Sequence, residues 1–489
     1  MTTPTAPTLL SSGLPGLDSI LHGGLPEGHA YLVTGASGTG KTTLAMQFLI
    51  EGATNGESAV FVGFSESIEE LYLVADVHGW PLARVELFEL ATHFVKRDIE
   101  GSSIFKSAEV ELPEAIAKIV EIVEEVEPTR LAIDSLTELR NMAETERAYR
   151  RALFGLKAKM EQLGVTTLLV GGRHPGAKSE VESIVQGVVD LYMKTPAYGP
   201  VTRHLQVRKM RGRTYETGIH DFSIVTGGLD VFPRIRPREI HRKIGIGEPV
   251  RSGVESLDNL VGGGLDRGTT TLLMGPSGTG KTTLILQYAV ATAQRGERAV
   301  VYSFTEDVPT MKRRAEGLGL PLTECIDSGY IRIQAIDPAE LSPGHFAHLV
   351  RTEVTEREVT FVAVDSINGY LHAMPDEQAL VQHLQDLLTY LGSQGILMML
   401  VMTMAGLLDT TPQRVARLSY LSDTILLLQY LQDESEISKS IAAVKHRTRN
   451  HETCVRKLRF GSDGVHVGEQ LAQAPVDRWI DSTTEDGGE

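Results

Sequence analysis

The stretch Gly35-Ala36-Ser37-Gly38-Thr39-Gly40-Lys41-Thr42-Thr43 constrains this chain more than any other, because it occurs twice. It returns as Gly275-Pro276-Ser277-Gly278-Thr279-Gly280-Lys281-Thr282-Thr283, with Lys41 and Lys281 standing 240 residues apart. Each copy is G-x-x-x-x-G-K-T-T. The first lies between the apolar run Tyr31-Leu32-Val33 and the helical pattern Leu44–Leu49. A strand before and a helix after make this motif a phosphate site. Glycines let backbone amides curl around oxygens, and the helix N-terminus adds its positive end. The expected nucleotide contacts are therefore Gly35, Ser37, Gly38, Thr39, Gly40, Lys41, Thr42 and Thr43, and in the second copy Gly275, Ser277, Gly278, Thr279, Gly280, Lys281, Thr282 and Thr283. Lys41 and Lys281 reach the outer phosphates of ATP, and the Thr42 and Thr282 hydroxyls are placed to ligate Mg2+.

The repetition extends well beyond the loops. Ser12-Gly13-Leu14-Pro15-Gly16-Leu17-Asp18 recurs as Ser252-Gly253-Val254-Glu255-Ser256-Leu257-Asp258, again 240 residues on. The offset holds between Ala59–Glu66 and Ala299–Glu306, then falls to 231 between Asp134 and Asp365, so the second copy has the shorter intervening loop. Short apolar runs alternate with helical patterns, which reads as α/β: two tandem P-loop NTPase units, each a mostly parallel sheet flanked by helices. The strands expected in the first unit are Tyr31–Val33, Ala59–Phe64, Arg130–Ile133, Thr166–Val170 and Val188–Met193. In the second they are Thr270–Met274, Ala299–Phe304, Thr360–Val364, Leu397–Val401 and Thr424–Gln429. Leu112–Glu125 reads as a helix with Ile116, Ile119, Val120 and Val123 on one face, and Ala148–Leu163 as another. The units are expected at 1–240 and 241–475, joined near the basic segment Arg234–Lys243. That segment reads as a linker against an acidic neighbour rather than a nucleic-acid arm. An acidic, disordered tail is expected at 476–489.

Charge narrows the partners. With 47 basic and 63 acidic residues the formal charge is −16, which disfavours phosphodiester backbones over most of the surface, so DNA is not an expected partner. Two cysteines, Cys325 and Cys454, are too few for a disulfide framework or a zinc site and read as reduced. Met1–Leu10 lacks the pattern of a signal peptide, and no stretch approaches the ~20 apolar residues of a membrane helix, so the expected location is cytoplasmic.

Three further constellations carry chemistry. Arg130–Ser135 and Thr360–Ser366 are apolar runs ending in Asp134 and Asp365, where an acid at the carboxyl end of a strand would complete the magnesium shell. Glu66 and Glu306 sit just past the strand that follows each phosphate loop and are expected to orient or deprotonate the attacking water; a solvated loop glutamate is the alternative. Lys209 and Arg211, with Lys445 and Arg447 as counterparts, project on one side of a strand or hairpin. They suit an anion from another subunit, or else a solvated basic edge, and spacing leaves both open.

Taken together, the tandem arrangement, S-G-[LV]-x-x-L-D before each loop, I-D-S and V-D-S, and Lys209-Met210-Arg211-Gly212 resemble the KaiC family, the circadian clock ATPases and autokinases of the RecA superfamily. The resemblance spans roughly Ser12 to Leu471. It implies two RecA-like domains and a homohexamer stacked as a double ring. ATP would lie between subunits, with Lys209, Arg211, Lys445 and Arg447 reaching across, and a KaiB-like or other signalling partner is implied. It also implies serine/threonine autokinase activity, with Ser419-Tyr420 at the family's adjacent Ser-Thr acceptor pair, so that Ser419 is the surviving acceptor. Each of the family's paired glutamates is reduced to one, reading Ser65-Glu66 and Thr305-Glu306. The expected function is thus a hexameric timing or signalling ATPase, with autokinase activity on Ser419 and a RecA-type DNA-dependent ATPase as alternatives.

Overall fold

The computed structural model describes residues 8–90, 108–172, 180–195, 201–236, 247–337, 340–372, 377–404, 419–433 and 436–471. Most of the expected basic linker (237–243), the segment Met1–Pro7 and the expected tail 476–489 lie outside them. The chain divides into two compact units, Met1–Arg234 and Ile235–Glu489.

In the first unit a nine-stranded sheet runs in the order Val85–Glu89, Ala59–Gly63, Arg130–Asp134, Thr166–Gly172, Ala30–Gly35, Gly187–Lys194, Thr202–Met210, His220–Val225 and Gly228–Phe232. The first six are parallel, and the last three form an antiparallel meander beside them. The second unit repeats this: Ile331–Ala335, Arg298–Ser303, Val359–Asp365, Leu397–Thr403, Thr270–Gly275 and Thr424–Asp433 in parallel, then Glu436–His446, Arg456–Gly461 and Gly464–Gln470 antiparallel.

Every expected strand is present, and each reads as a continuous apolar run because both of its faces are covered. Along Ala30–Val33, Tyr31 and Val33 enter the layer beneath the helix Lys41–Thr54, whereas Ala30 and Leu32 enter the layer under Ala108–Val126 and Glu146–Gln162. The helix expected over 112–125 buries Leu112, Ala115, Ile119, Ile122 and Val123. Ile116 and Val120 sit at the margin of that layer, so its buried stripe is turned slightly from the expected one.

The repeated S-G-x-x-x-L-D opening proves to be a brace. Asp18 Oδ1 accepts from the Ser12 amide at 2.9 Å and Oδ2 from the Ser11 hydroxyl at 2.8 Å; Asp258 takes the Ser252 amide and hydroxyl at 2.7 and 2.8 Å. Gly13, at φ +77°, packs so closely on the phosphate-loop helix that a Cβ would lie 2.6 Å from the Gln47 carbonyl. Only glycine suits that approach.

Candidate functional sites at the two phosphate loops

Each phosphate loop leaves the carboxyl end of its unit's central strand and ends at a glycine that caps the following helix. Gly40 (φ +97°) and Gly280 (φ +108°) adopt the left-handed conformation there, turning the first helical amides toward the loop. The loop folds around its own lysine. Lys41 Nζ donates to the Ala36 carbonyl at 2.8 Å, and Lys281 Nζ to the Gly275 and Pro276 carbonyls at 2.7 and 2.6 Å. Thr39 and Thr279 are buried and close the turn through the carbonyls of Ala36 and Pro276. The first turn of each helix brings Thr42 and Thr43, or Thr282 and Thr283, to the same edge.

Asp134 and Asp365 end strands one place removed from the loop strand, and both reach the threonine of the motif. Thr42 Oγ1 donates to Asp134 Oδ2 at 2.6 Å, as does Thr282 Oγ1 to Asp365 Oδ2. The two units place the next acid by the same backbone device. The Phe64 amide donates to the Asp134 carbonyl at 2.7 Å and the Phe304 amide to that of Asp365 at 2.6 Å, tying each glutamate turn to its aspartate strand.

The side chains then diverge. Glu66 Oε1 lies 3.4 Å from the Thr42 hydroxyl, beside the loop. Both oxygens of Glu306 are held instead by the guanidinium of Arg314, at 2.6 and 2.7 Å. At the fixed offset of the repeat, Val74 stands where Arg314 does; the buried pairs Leu71/Met311 and Ala75/Ala315 fix that register.

Burial shapes the electrostatics. Desolvation pushes the Asp134 and Asp365 carboxyls above their usual range, and the threonine hydroxyls oppose it. It also raises Glu66, helped by the charge of Asp134. Lys41 is pushed down by burial against the pull of Asp134 and Glu66. Lys281, with only Asp365 to oppose burial, falls to about 8. Burial leaves the charge of each lysine poorly compensated, so an anionic oxygen brought against it would restore the charged form.

The cation pairs are together, as alternation predicts, but they face their own unit. Lys209 Nζ donates to the carbonyls of Glu182 and Val185 at 2.5 and 2.7 Å, and Arg211 to that of Ser183 at 2.7 Å. Lys445 takes the carbonyls of Ser419 and Ser422 at 2.7 and 2.6 Å, and Arg447 that of Tyr420 at 3.2 Å. A bulge in each hairpin, between Val188 and Val189 and between Ile425 and Leu426, sets this direction. Ser419 thus lies in a helical segment, 419–421, whose carbonyls are held by the two cations, beside the exposed Tyr420, over whose ring the Arg447 guanidinium sits at 5.9 Å.

Sequence reasoning passed over two residues at these sites. Arg314 was detectable by laying the two repeats side by side. Tyr430, whose hydroxyl donates to the Ser277 carbonyl of the second loop at 3.0 Å, had no sequence signal. Its counterpart by strand register is Met193.

Two RecA-like units, each with a phosphate loop, a strand-end aspartate bonded to the loop threonine and a nearby glutamate, define a tandem P-loop nucleotide-binding protein. The profile of the KaiC ATPase family matches residues 10–236 and 250–472, and the chain belongs to that family. It is 29% identical over 464 residues to the circadian clock oscillator protein KaiC of Thermostichus vulcanus, covering 94% of this chain and 88% of that one. The proteins of that name from Nostoc sp. (29% over 467 residues) and Synechococcus elongatus (28% over 464) cover the same shares. Among the described residues no helix is long and apolar enough to cross a membrane, and both cysteines are free.

Proposed function

We propose that this chain is a slow, homohexameric timing or signalling ATPase in the cytoplasm that holds ATP at the edges of both units. The observation that carries the reading is the 2.6 Å bond from the loop threonine to the strand-end aspartate, formed identically in the two units. That hydroxyl and carboxylate suit Mg2+, which keeps most of its shell for water and phosphate. Thr42 with Asp134, and Thr282 with Asp365, would hold the ion, which would neutralise phosphate charge.

The chain's own groups supply the rest. Lys41 and Lys281 exchange their carbonyl acceptors for β- and γ-phosphate oxygens. A carboxylate, Glu66 or Glu306, accepts a proton from water as the water oxygen bonds to the γ-phosphorus and the bond to the ADP oxygen breaks. In a ring, Lys209/Arg211 and Lys445/Arg447 trade the carbonyls they now hold for a neighbour's phosphates, and a KaiB-like protein is the kind of partner that would read the outcome. Transfer to Ser419 is the second reading, favoured by one observation: Ser419 and Tyr420 are held by the very cations assigned to phosphate. Water is smaller and more mobile than a tethered serine, so hydrolysis outpaces it. Phosphate release measured with and without single-stranded DNA, beside sedimentation with ATP and magnesium, tests the proposal. DNA-independent turnover by a hexamer is expected; a monomer in every nucleotide condition, or turnover only with DNA, overturns it.

A further inference from the structure

The backbone presents Glu66 and Glu306 in the same way, yet only Glu306 is clasped by an arginine. Arg314 projects from the helix Val308–Gly317, whose first turn is fixed by the Asp307 cap on the Thr310 amide at 2.8 Å. Its planar fork meets the carboxylate with two short bonds, a geometry that fixes orientation as well as energy. The backbone that carries this carboxylate is held as well, because the Ser303 hydroxyl donates to the Glu306 main-chain carbonyl at 2.7 Å and accepts from its amide at 3.1 Å. Gly63 and Val74 occupy these two places in the first unit, and neither has a side chain that could restrain Glu66.

We propose that Arg314 is a latch on the second site: a positioning residue that turns Glu306 away from the attacking water and so keeps the second unit's hydrolysis below the first's. This rests on the reading of Glu306 as the carboxylate that takes the water's proton. With both oxygens aimed at the guanidinium, Glu306 reaches water only after that pair opens. Glu66, 3.4 Å from the Thr42 hydroxyl, needs no such step. The latch gives the two units different rates without any change in the phosphate loops themselves. It also offers a control point, since anything that draws Arg314 onto another anion releases the second site.

The full-length protein tests this in a Glu66→Gln background, where turnover reports the second unit. Arg314→Val, which copies the first unit, is expected to raise kcat roughly tenfold with KM for ATP within about twofold, the size expected for losing one charge-assisted pair. Arg314→Lys, which keeps the charge but not the fork, is expected to fall between. Adding Glu306→Gln is expected to abolish the gain. The reciprocal Val74→Arg, in a chain with Glu66 intact, is expected to slow the first unit by a similar factor, and it stands as the test should Arg314→Val fail to fold. Unchanged or lower kcat in folded Arg314→Val, or a gain that survives Glu306→Gln, overturns the latch. Failure of the underlying reading looks different: Glu306→Gln alone in the same background would leave turnover unchanged.

Discussion

The two units share a sheet order, a phosphate loop and a threonine–aspartate bond, and they part at the helix that follows the glutamate. In the first unit, Ile68–His78 shows Tyr72, Leu73, Val74 and Val77 to solvent, with Val77 71% exposed. In the second, Lys312, Arg313, Arg314 and Gly317 fill those places. The buried positions of this helix keep their chemistry across the repeat, Leu71 with Met311 and Ala75 with Ala315, since each must fit a packed layer between helix and sheet. Exposed positions are released from that demand, and one of them reaches back to the site. On this helix the core side repeats between the copies and the solvent side distinguishes them.

The comparison is broken most forcefully at the glutamates. Glu66→Gln keeps the shape of the site but removes the proton acceptor, and is expected to lower first-unit turnover on the order of 10²–10⁴-fold. Glu306→Gln is expected to cost about tenfold less than that, because Arg314 already restrains that carboxylate. Single-turnover phosphate release in each variant measures both, and equal losses would erase the distinction.

A second contrast concerns stability. Arg130 is wholly buried at the head of the Asp134 strand, bonded to Glu57 and to the carbonyls of Ser11 and Phe48, whereas Phe361 holds that place in the second unit. Arg130→Met strands those carbonyls and the Glu57 carboxylate, and is expected to destabilise the first unit by about 3 kcal/mol. Two separate transitions in a calorimetric scan, with only one of them displaced, are the expected result.

The lysines sharpen the comparison through pH. Phosphate favours the charged amine, so with Lys281 near 8 in the free site, binding above that pH must take up a proton. Second-site affinity should therefore fall as pH rises past 8, by at most about tenfold per unit. The first site, where two carboxylates support Lys41, should change later. Titration of a fluorescent nucleotide in Lys41→Ala and Lys281→Ala proteins from pH 7 to 10 separates the two curves. The smallest expected effect is self-phosphorylation. Incubation with labelled ATP should leave only a minor fraction of Ser419 modified, lost in Ser419→Ala, and near-complete labelling by mass spectrometry would put the autokinase first.

Local pattern carried most of the fold. Apolar runs of the right length, the repeat offset and the glycine-rich turns announced two parallel sheets, because strand burial and left-handed glycine geometry are written in neighbouring residues. The flanking strands Val85–Glu89 and Ile331–Ala335 went unread, since a half-buried edge strand has no such run.

By itself the sequence determined the two loops, the acids at their strand ends and the pairing of Lys209 with Arg211 and of Lys445 with Arg447. Tertiary structure alone decided where those groups point. The cation pairs turn toward the carbonyls of Glu182–Val185 and Ser419–Ser422 because bulges rotate their strands. Glu306 meets Arg314 because the capped helix Val308–Gly317 carries the arginine back to the turn that precedes it. Side-chain direction depends on such three-dimensional neighbours, which spacing along the chain does not contain.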